Sequence, residues 1–233
     1  MMLLQPNSRV LLIGDSVTDC GRKRPSGEGA FDGALGNGYA SLIDAALTAT
    51  YPDKAIRVIN MGVSGNTVRD LKARWQTDVL DLYPDWLSIL IGINDVWDQF
   101  TDPWQTGHHV SAEEFALTLE DLIRQVRPDL KGMVLMTPYF LEPDTQEPMR
   151  AMMDRYGAIV RELAVRHHAL LVDSQAAFDR VLRTLHSMRL AMDRVHLNLA
   201  GHMVLTRAFL QRIGYAWEVP SVPAPDVGRD VPA

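Results

Sequence analysis

Five short, mostly apolar runs alternate with longer amphipathic segments along this 233-residue chain. The runs cover residues 10–13, 56–60, 86–91, 132–137 and 169–173. Continuous apolar runs are typical of parallel strands that are buried on both faces, and right-handed crossover helices connect such strands. The alternation therefore predicts a three-layer α/β/α sandwich with a five-stranded parallel, flavodoxin-like sheet.

The composition fits one globular domain, which we place over residues 1–219. Apolar residues make up 47% of the chain and charged residues 22%, which is enough to bury a full core. Residues 220–233 are rich in Pro, Val, Ala, Gly and Asp and have no periodicity, so we expect a flexible C-terminal tail there.

Charge and cysteine content limit the classes of partner. The net charge of −6, with no run of Lys or Arg longer than residues 22–24, argues against binding to nucleic acid or to an anionic membrane. No apolar stretch is long enough to span a membrane, and the N-terminus lacks the basic region of a signal peptide. The single cysteine, Cys20, cannot form an internal disulfide. We expect a cytoplasmic protein in which this thiol is partly buried and unreactive.

Polar groups follow the first three predicted strands at the point where each strand ends. Ser16 follows the first strand in the sequence Gly-Asp-Ser, Gly62 follows the second, and Asn94 follows the third in Gly-Ile-Asn-Asp. The carboxyl ends of parallel strands meet at one edge of the sheet, where ligands bind in folds of this class. The three residues can therefore be neighbours in space.

An acid and a base lie three residues apart near the other end of the chain, at Asp193 and His196. With Ser16 they supply a nucleophile, a general base and the acid that orients the base. The backbone N–H groups of Ser16 and Gly62 and the side-chain amide of Asn94 are donors of the type that an oxyanion hole requires. Each residue alone is equally compatible with a helix cap or a turn, so the combination carries the prediction.

The sequence leaves open the roles of several other side chains near these motifs. His202 is an alternative base, but no acid precedes it at the spacing of Asp193 and His196. Asp15 and Asp95 can either tune the site or cap their own loops. A loop containing Trp97 and Trp104 can stack on sugar rings, pack beneath a loop or form a subunit contact. No cluster of residues has the spacing of a zinc site, so we expect neither a metal nor a cofactor.

Four motifs, taken in order over about residues 9–213, resemble the blocks of the SGNH (GDSL-like) hydrolases. They are Gly14-Asp15-Ser16, Gly62 within residues 60–66, Gly92-Ile93-Asn94-Asp95 and Asp193-Arg194-Val195-His196. The resemblance implies that Ser16 is the nucleophile, His196 the general base and Asp193 its orienting acid. It also implies an oxyanion hole made by Ser16, Gly62 and Asn94.

A finer resemblance is to intracellular carbohydrate acetyl esterases, and to acetylxylan esterases in particular. It is carried by residues 19–22, 27–29, 64–71, 92–97 and 200–203. It implies an enzyme that removes acetyl groups from xylo-oligosaccharides or other acetylated sugars through an acetyl-serine intermediate. It also implies that the enzyme needs no cofactor and is a homo-oligomer. Two alternatives stay open: a short-chain lipid esterase or thioesterase of the same superfamily, and, more remotely, a noncatalytic ligand-binding module.

Overall fold

The computed structural model describes residues 2–29 and 33–217 and contains a six-stranded, mostly parallel sheet. The strands are β1 (Arg9–Gly14), β2 (Gly27–Glu28), β3 (Arg57–Asn60), β4 (Trp86–Leu90), β5 (Gly132–Met136) and β6 (Leu170–Val172). Their order is β2-β3-β1-β4-β5-β6. The five longer strands are parallel and follow the flavodoxin-like order, which confirms the predicted fold class.

The strand β2 is the departure from the five predicted strands. It pairs antiparallel with β3 at the edge of the sheet, through Gly27 opposite Asn60 and Glu28 opposite Ile59. Two residues, one of them a glycine, carry no apolar pattern that would reveal a strand. The pairing covers one otherwise open edge of the sheet.

Eight α-helices surround the sheet in the described part of the chain. They are α1 (Ser16–Asp19), α2 (Tyr39–Thr50), α3 (Val68–Ala73), α4 (Ile93–Thr101), α5 (Ala112–Arg124), α6 (Pro148–Arg166), α7 (Ser174–Leu182) and α8 (Leu199–Arg212). A π-helical turn, Gln76–Leu80, follows α3. A capping box between Thr67 and Asp70 begins α3, and the side chain of Asn198 caps α8.

The segment around Trp97 corrects a sequence prediction. Residues 97–101 belong to α4, whereas a loop is predicted there. Ile93 and Val96 are buried and turn one side of this helix toward the core. Ile93, Val96, Trp97 and Phe100 follow the helical spacing i, i+3, i+4 and i+7, a signal that the loop prediction overlooked.

Alternate residues of β1 pack into two different apolar clusters, one on each face of the sheet. Leu11 and Ile13 belong to the cluster beneath α3, α4, α5 and α6. Val10 and Leu12 belong to the cluster beneath α2, α7 and α8. Both faces of the central strand are therefore covered, which explains its continuous apolar sequence and leaves its carboxyl end as the place where polar groups can gather.

Within residues 2–29 and 33–217, no helix is both long and apolar enough to cross a membrane. The flexible tail predicted for residues 220–233 lies outside the described residues.

Candidate active site

Ser16 lies at the junction between β1 and α1. The carboxylate of Asp15 accepts a hydrogen bond from the N–H of Val17 at 2.9 Å and so caps the helix that Ser16 begins. A Cβ on Gly14 would lie 2.2 Å from the carbonyl oxygen of Leu90, so only glycine allows the strand to turn here against β4. The sharp turn places the Ser16 hydroxyl, half-buried, at the carboxyl edge of the sheet.

The structure brings the three predicted residues of the triad together from opposite ends of the chain. Ser16 Oγ lies 3.0 Å from His196 Nε2, and His196 Nδ1 lies 2.5 Å from Asp193 Oδ2. The other carboxylate oxygen of Asp193 accepts from the backbone N–H groups of Val195 and His196, at 3.0 and 2.8 Å. The carboxylate therefore holds both the imidazole ring and the loop that carries it.

These contacts determine which nitrogen of His196 carries the proton. An ionised carboxylate only accepts hydrogen bonds, so Nδ1 carries the proton and Nε2 is free to accept one from Ser16. Partial burial tends to raise the pKa of Asp193. Hydrogen bonds from the His196 ring and from two backbone N–H groups outweigh this effect and hold the pKa of Asp193 below its ordinary value. The side chain of His196 is 57% exposed, so a substrate can reach it.

Asn94 lies in the first turn of α4, beside the turn that follows β3. Its Nδ2 donates to the carbonyl oxygen of Asn66 at 2.9 Å. In the described part of the chain, the backbone N–H groups of Ser16 and Gly65 make no hydrogen bond. Free N–H groups at the edge of the sheet are suited to stabilise a developing oxyanion.

The structure does not favour Gly62 as a donor to an oxyanion. The N–H of Gly62 already donates to Asn60 Oδ1 at 2.9 Å. A Cβ on Gly62 would lie 2.2 Å from the backbone nitrogen of Asp19, so this glycine is needed for close packing against α1. Gly65, three residues later in the same turn, has a positive φ of 80° and an open surrounding. The sequence analysis named Gly62 alone from this turn, because the sequence does not show which N–H groups are already bonded.

Only one of the two tryptophans singled out in the sequence has a ring contact at the site. The ring of Trp97 lies 6.2 Å from the ring of His196, centroid to centroid, and Trp97 is one helical turn beyond Asn94. Trp104 is 91% exposed and makes no aromatic contact with the residues that the structure describes. Trp97 therefore borders the site beside His196.

His202 is buried beneath the site and does not contact Ser16 Oγ. Its Nδ1 accepts from the N–H of Tyr39, and its Nε2 lies 3.2 Å from Cys20 Sγ. Burial lowers the pKa of His202 to about 4 and raises the pKa of the Cys20 thiol to about 12. A neutral imidazole beside an un-ionised thiol supports neither the alternative base nor a reactive cysteine.

Asp15 and Asp95 both act as caps for backbone N–H groups. Asp15 binds the N–H of Val17, and Asp95 Oδ1 accepts from the N–H of Val68 at 3.0 Å. Both residues are almost fully buried, and the removal of water raises the pKa of each to about 7, with repulsion from Asp95 adding to the rise for Asp15. These two carboxyl groups therefore titrate near neutral pH.

We expect Asp95→Asn to change the pH dependence of stability. The folded-state pKa is raised from 3.8 to about 7, so the contribution of Asp95 is fully present below the lower value and is lost as pH rises through the higher one. Between these two pKa values, the contribution of Asp95 to the free energy of unfolding should weaken by about 1.4 kcal/mol per pH unit. His202, whose pKa is lowered, acts in the opposite direction below its ordinary value of 6.5.

The measurement is the free energy of urea unfolding, from about pH 5 to about pH 8, for the wild type and for Asp95→Asn. The wild type should lose stability relative to the variant as pH rises. The comparison cancels the contribution of His202, which both proteins share. Loss of the repulsion that Asp95 exerts on Asp15 lowers the pKa of Asp15 in the variant and so changes the difference between the curves in the same direction. Parallel curves for the two proteins would contradict the raised pKa of Asp95.

Across the described ranges there is no group of three or more His, Cys, Asp or Glu side chains that could hold a metal ion.

Comparisons with known proteins agree with this geometry. Residues 12–204 match the GDSL-like Lipase/Acylhydrolase family. The chain is 52% identical over 216 residues to an acetylxylan esterase of Geobacillus stearothermophilus, covering 93% of this chain and 98% of the relative. The crystal structure of that organism's acetylxylan esterase Axe2 matches with a TM-score of 0.91 and 52% identity, over 93% of this chain and 98% of the other.

Two further findings concern solved structures. LAE5, an alpha/beta hydrolase enzyme from the metagenome of Lake Arreo in Spain, matches with a TM-score of 0.89 and 51% identity, over 92% of this chain and 98% of the other. Three crystal structures of Axe2 are described as catalytic mutants, in which a serine, a histidine or an aspartate is replaced by alanine.

Proposed function

Because the chain belongs to the GDSL-like lipase/acylhydrolase family, we propose that it is a serine esterase that removes acetyl groups from acetylated xylo-oligosaccharides. Membership confirms the family predicted from the four sequence motifs. The contact between Ser16 Oγ and His196 Nε2 carries the proposal, since it links a hydroxyl to an oriented base. The acetylxylan esterase relative, 52% identical, supports the choice of acetyl as the acyl group and of a carbohydrate as the leaving group.

In the proposed reaction, the ester is cleaved in two steps at Ser16. His196 Nε2 takes the hydroxyl proton while Ser16 Oγ attacks the acetyl carbonyl carbon, and Asp193 stabilises the imidazolium that forms. His196 then gives the proton to the departing sugar oxygen, which leaves an acetyl group on Ser16. Water, deprotonated by His196, attacks the acetyl carbonyl carbon, and His196 returns the proton to Ser16 Oγ as acetate is released. The chain needs no cofactor for these steps.

The negative oxygen of each tetrahedral intermediate requires hydrogen-bond donors that are already in place. We assign this role to the N–H of Ser16 and to Nδ2 of Asn94, as the sequence predicts. For the third donor, the free N–H of Gly65 is better suited than that of Gly62, which Asn60 occupies. One such donor is typically worth about 3–4 kcal/mol in the transition state.

The acyl preference of the protein tests the proposal. We expect initial rates on p-nitrophenyl esters to fall as the acyl chain lengthens beyond acetyl, and we expect acetate release from fully acetylated xylose. Each methylene that a pocket can bury is worth about 0.8 kcal/mol, so a pocket shaped for longer chains would show the opposite trend. The same assays on Ser16→Ala give the background that does not depend on the site.

Rates that rise toward octanoyl would favour the lipid esterase or thioesterase alternative. The absence of any turnover that depends on Ser16 would favour a noncatalytic binding module.

We extend the proposal to the cellular location, the substrate class and the oligomeric state of the esterase. The lone cysteine supports a cytoplasmic location. The acidic composition suits a small acetylated sugar as the binding partner rather than nucleic acid. A homo-oligomer is supported by apolar side chains that are exposed close to the site in sequence, at Met192, Leu199 and Met203.

A further inference from the structure

The side chain of Arg74 connects the end of β1 to the turn that follows β3. Its Nη2 donates to the carbonyl oxygen of Gly14 at 2.9 Å, two residues before Ser16. Its Nη1 donates to the carbonyl oxygen of Met61 at 2.7 Å, and its Nε donates to Asn66 Oδ1 at 2.6 Å. The guanidinium thus binds the strand that carries Ser16 and both ends of the turn that carries Gly65.

Asn66 continues this connection to Asn94. The Asn66 side chain accepts from Arg74, and its backbone carbonyl oxygen accepts from Asn94 Nδ2 at 2.9 Å. A guanidinium has donors only, so Asn66 must present its oxygen to Arg74. A carbonyl oxygen only accepts, so Asn94 must present its nitrogen to Asn66. The orientations of both amides are therefore determined by their partners.

This arrangement leaves one N–H of the Asn94 amide without a partner in the part of the chain that the structure describes. If the amide were rotated by half a turn, its oxygen would face the carbonyl oxygen of Asn66, and an oxygen would replace the donor at the site. An oxyanion hole requires the opposite, a donor fixed before the negative charge develops. The carbonyl of Asn66 selects the useful orientation.

We infer that Arg74 and Asn66 are positioning residues of the proposed esterase, which hold the Asn94 amide in the orientation that donates to the oxyanion. Neither residue contacts the reacting atoms in this assignment, since both act through Asn94. The inference rests on the proposed function, and it adds two residues to which the sequence motifs give no role.

A purely structural role for Arg74 is the competing explanation. Arg74 is 15% exposed and pairs with Asp78, four residues later on the helical segment, at 2.8 Å. Loss of a buried cation that binds several carbonyl groups destabilises a fold whether or not it affects catalysis. The test must therefore separate turnover from stability.

The main variant is Asn66→Ala, which removes the acceptor for Arg74 Nε and leaves the backbone carbonyl in place. We expect kcat for acetate release to fall by roughly tenfold while KM changes little, because a slightly misplaced donor affects the transition state more than substrate binding. Arg74→Lys should have the same effect, since an ammonium cannot bind three separate acceptors in the geometry of the guanidinium.

Asp78→Asn is the matched control. It weakens the ion pair of Arg74 without removing the acceptors at Gly14, Met61 or Asn66, so kcat should stay within about twofold of the wild type. The free energy of urea unfolding of each variant shows whether the protein is folded under the assay conditions. A loss of turnover in Asp78→Asn that matched the loss in Asn66→Ala would overturn the inference.

A double-mutant cycle with Asn94→Ala decides whether Asn66 acts through Asn94. We expect Asn94→Ala to lower kcat by about 10²–10³-fold and the double variant Asn66→Ala/Asn94→Ala to be no slower than Asn94→Ala. Methylboronic acid adds to a serine hydroxyl as a tetrahedral anion. Its affinity should fall in Asn66→Ala and further in Asn94→Ala, and the double variant should bind it no more weakly than Asn94→Ala does.

Two results would overturn the inference in distinguishable ways. Multiplying effects of Asn66→Ala and Asn94→Ala would show that the two residues act independently, and the proposed function would stand. An Asn94→Ala variant with the turnover of the wild type would remove the oxyanion role of Asn94 itself, and the proposed site would fail together with the inference.

Discussion

Ser16→Ala is expected to lower the turnover of acetylated xylose by about 10⁶-fold, because the members of a catalytic triad act as a unit. The variant removes the oxygen that lies 3.0 Å from His196 Nε2. It should fold as the wild type does, since the Ser16 side chain is only half-buried and its hydroxyl makes this one hydrogen bond in the described part of the chain. Acetate release and urea unfolding measure the two effects separately.

Ser41→Ala is a matched serine control. The hydroxyl of Ser41 donates to the carbonyl oxygen of Gly38 at the start of α2, and it should be dispensable for turnover. If Ser16→Ala kept most of the turnover, Ser16 would not be the nucleophile, and the ester would have to be cleaved elsewhere.

Asp193→Asn is expected to lower kcat by about 10⁴-fold with little loss of stability. The remaining side-chain oxygen can still accept from the N–H groups of Val195 and His196, so the loop keeps its shape. The new amide, however, presents N–H groups to His196 Nδ1. The imidazole then carries its proton on Nε2 and cannot accept one from Ser16.

Asp193→Ala separates these two roles of the carboxylate. It removes the loop contacts as well as the contact to the ring, so it should be less stable than Asp193→Asn while it is similarly slow. Unfolding free energies and kcat for both variants give the comparison. An Asp193→Asn variant as fast as the wild type would show that the carboxylate does not set the tautomer of His196.

The parallel strands could be predicted because burial on both faces leaves a strong local signal in the sequence. Leu11 and Ile13 face one core cluster and Val10 and Leu12 the other, so every position from Val10 to Ile13 is apolar. The three side chains of the proposed triad could be singled out for a different reason. Few residue types can serve as nucleophile, base and orienting acid, and the carboxyl edge of the sheet is the place where distant strand ends meet.

Contacts between distant segments explain what the sequence could not reveal. The choice between Gly62 and Gly65 depends on the side chain of Asn60, whose oxygen occupies one of the two N–H groups. The role of Arg74 depends on carbonyl groups, which every residue has and no motif can mark. Asp15 and Asp95 could not be assigned until their backbone partners were known.

The distance in sequence between Ser16 and His196 has a consequence for the synthesis of the protein. The two residues are 180 positions apart, and they meet only when the segment that follows β6 has folded against the end of β1. During synthesis, the proposed nucleophile Ser16 therefore emerges from the ribosome well before the proposed base His196. The proposed hydrolysis therefore requires that both segments have been synthesised and have folded together.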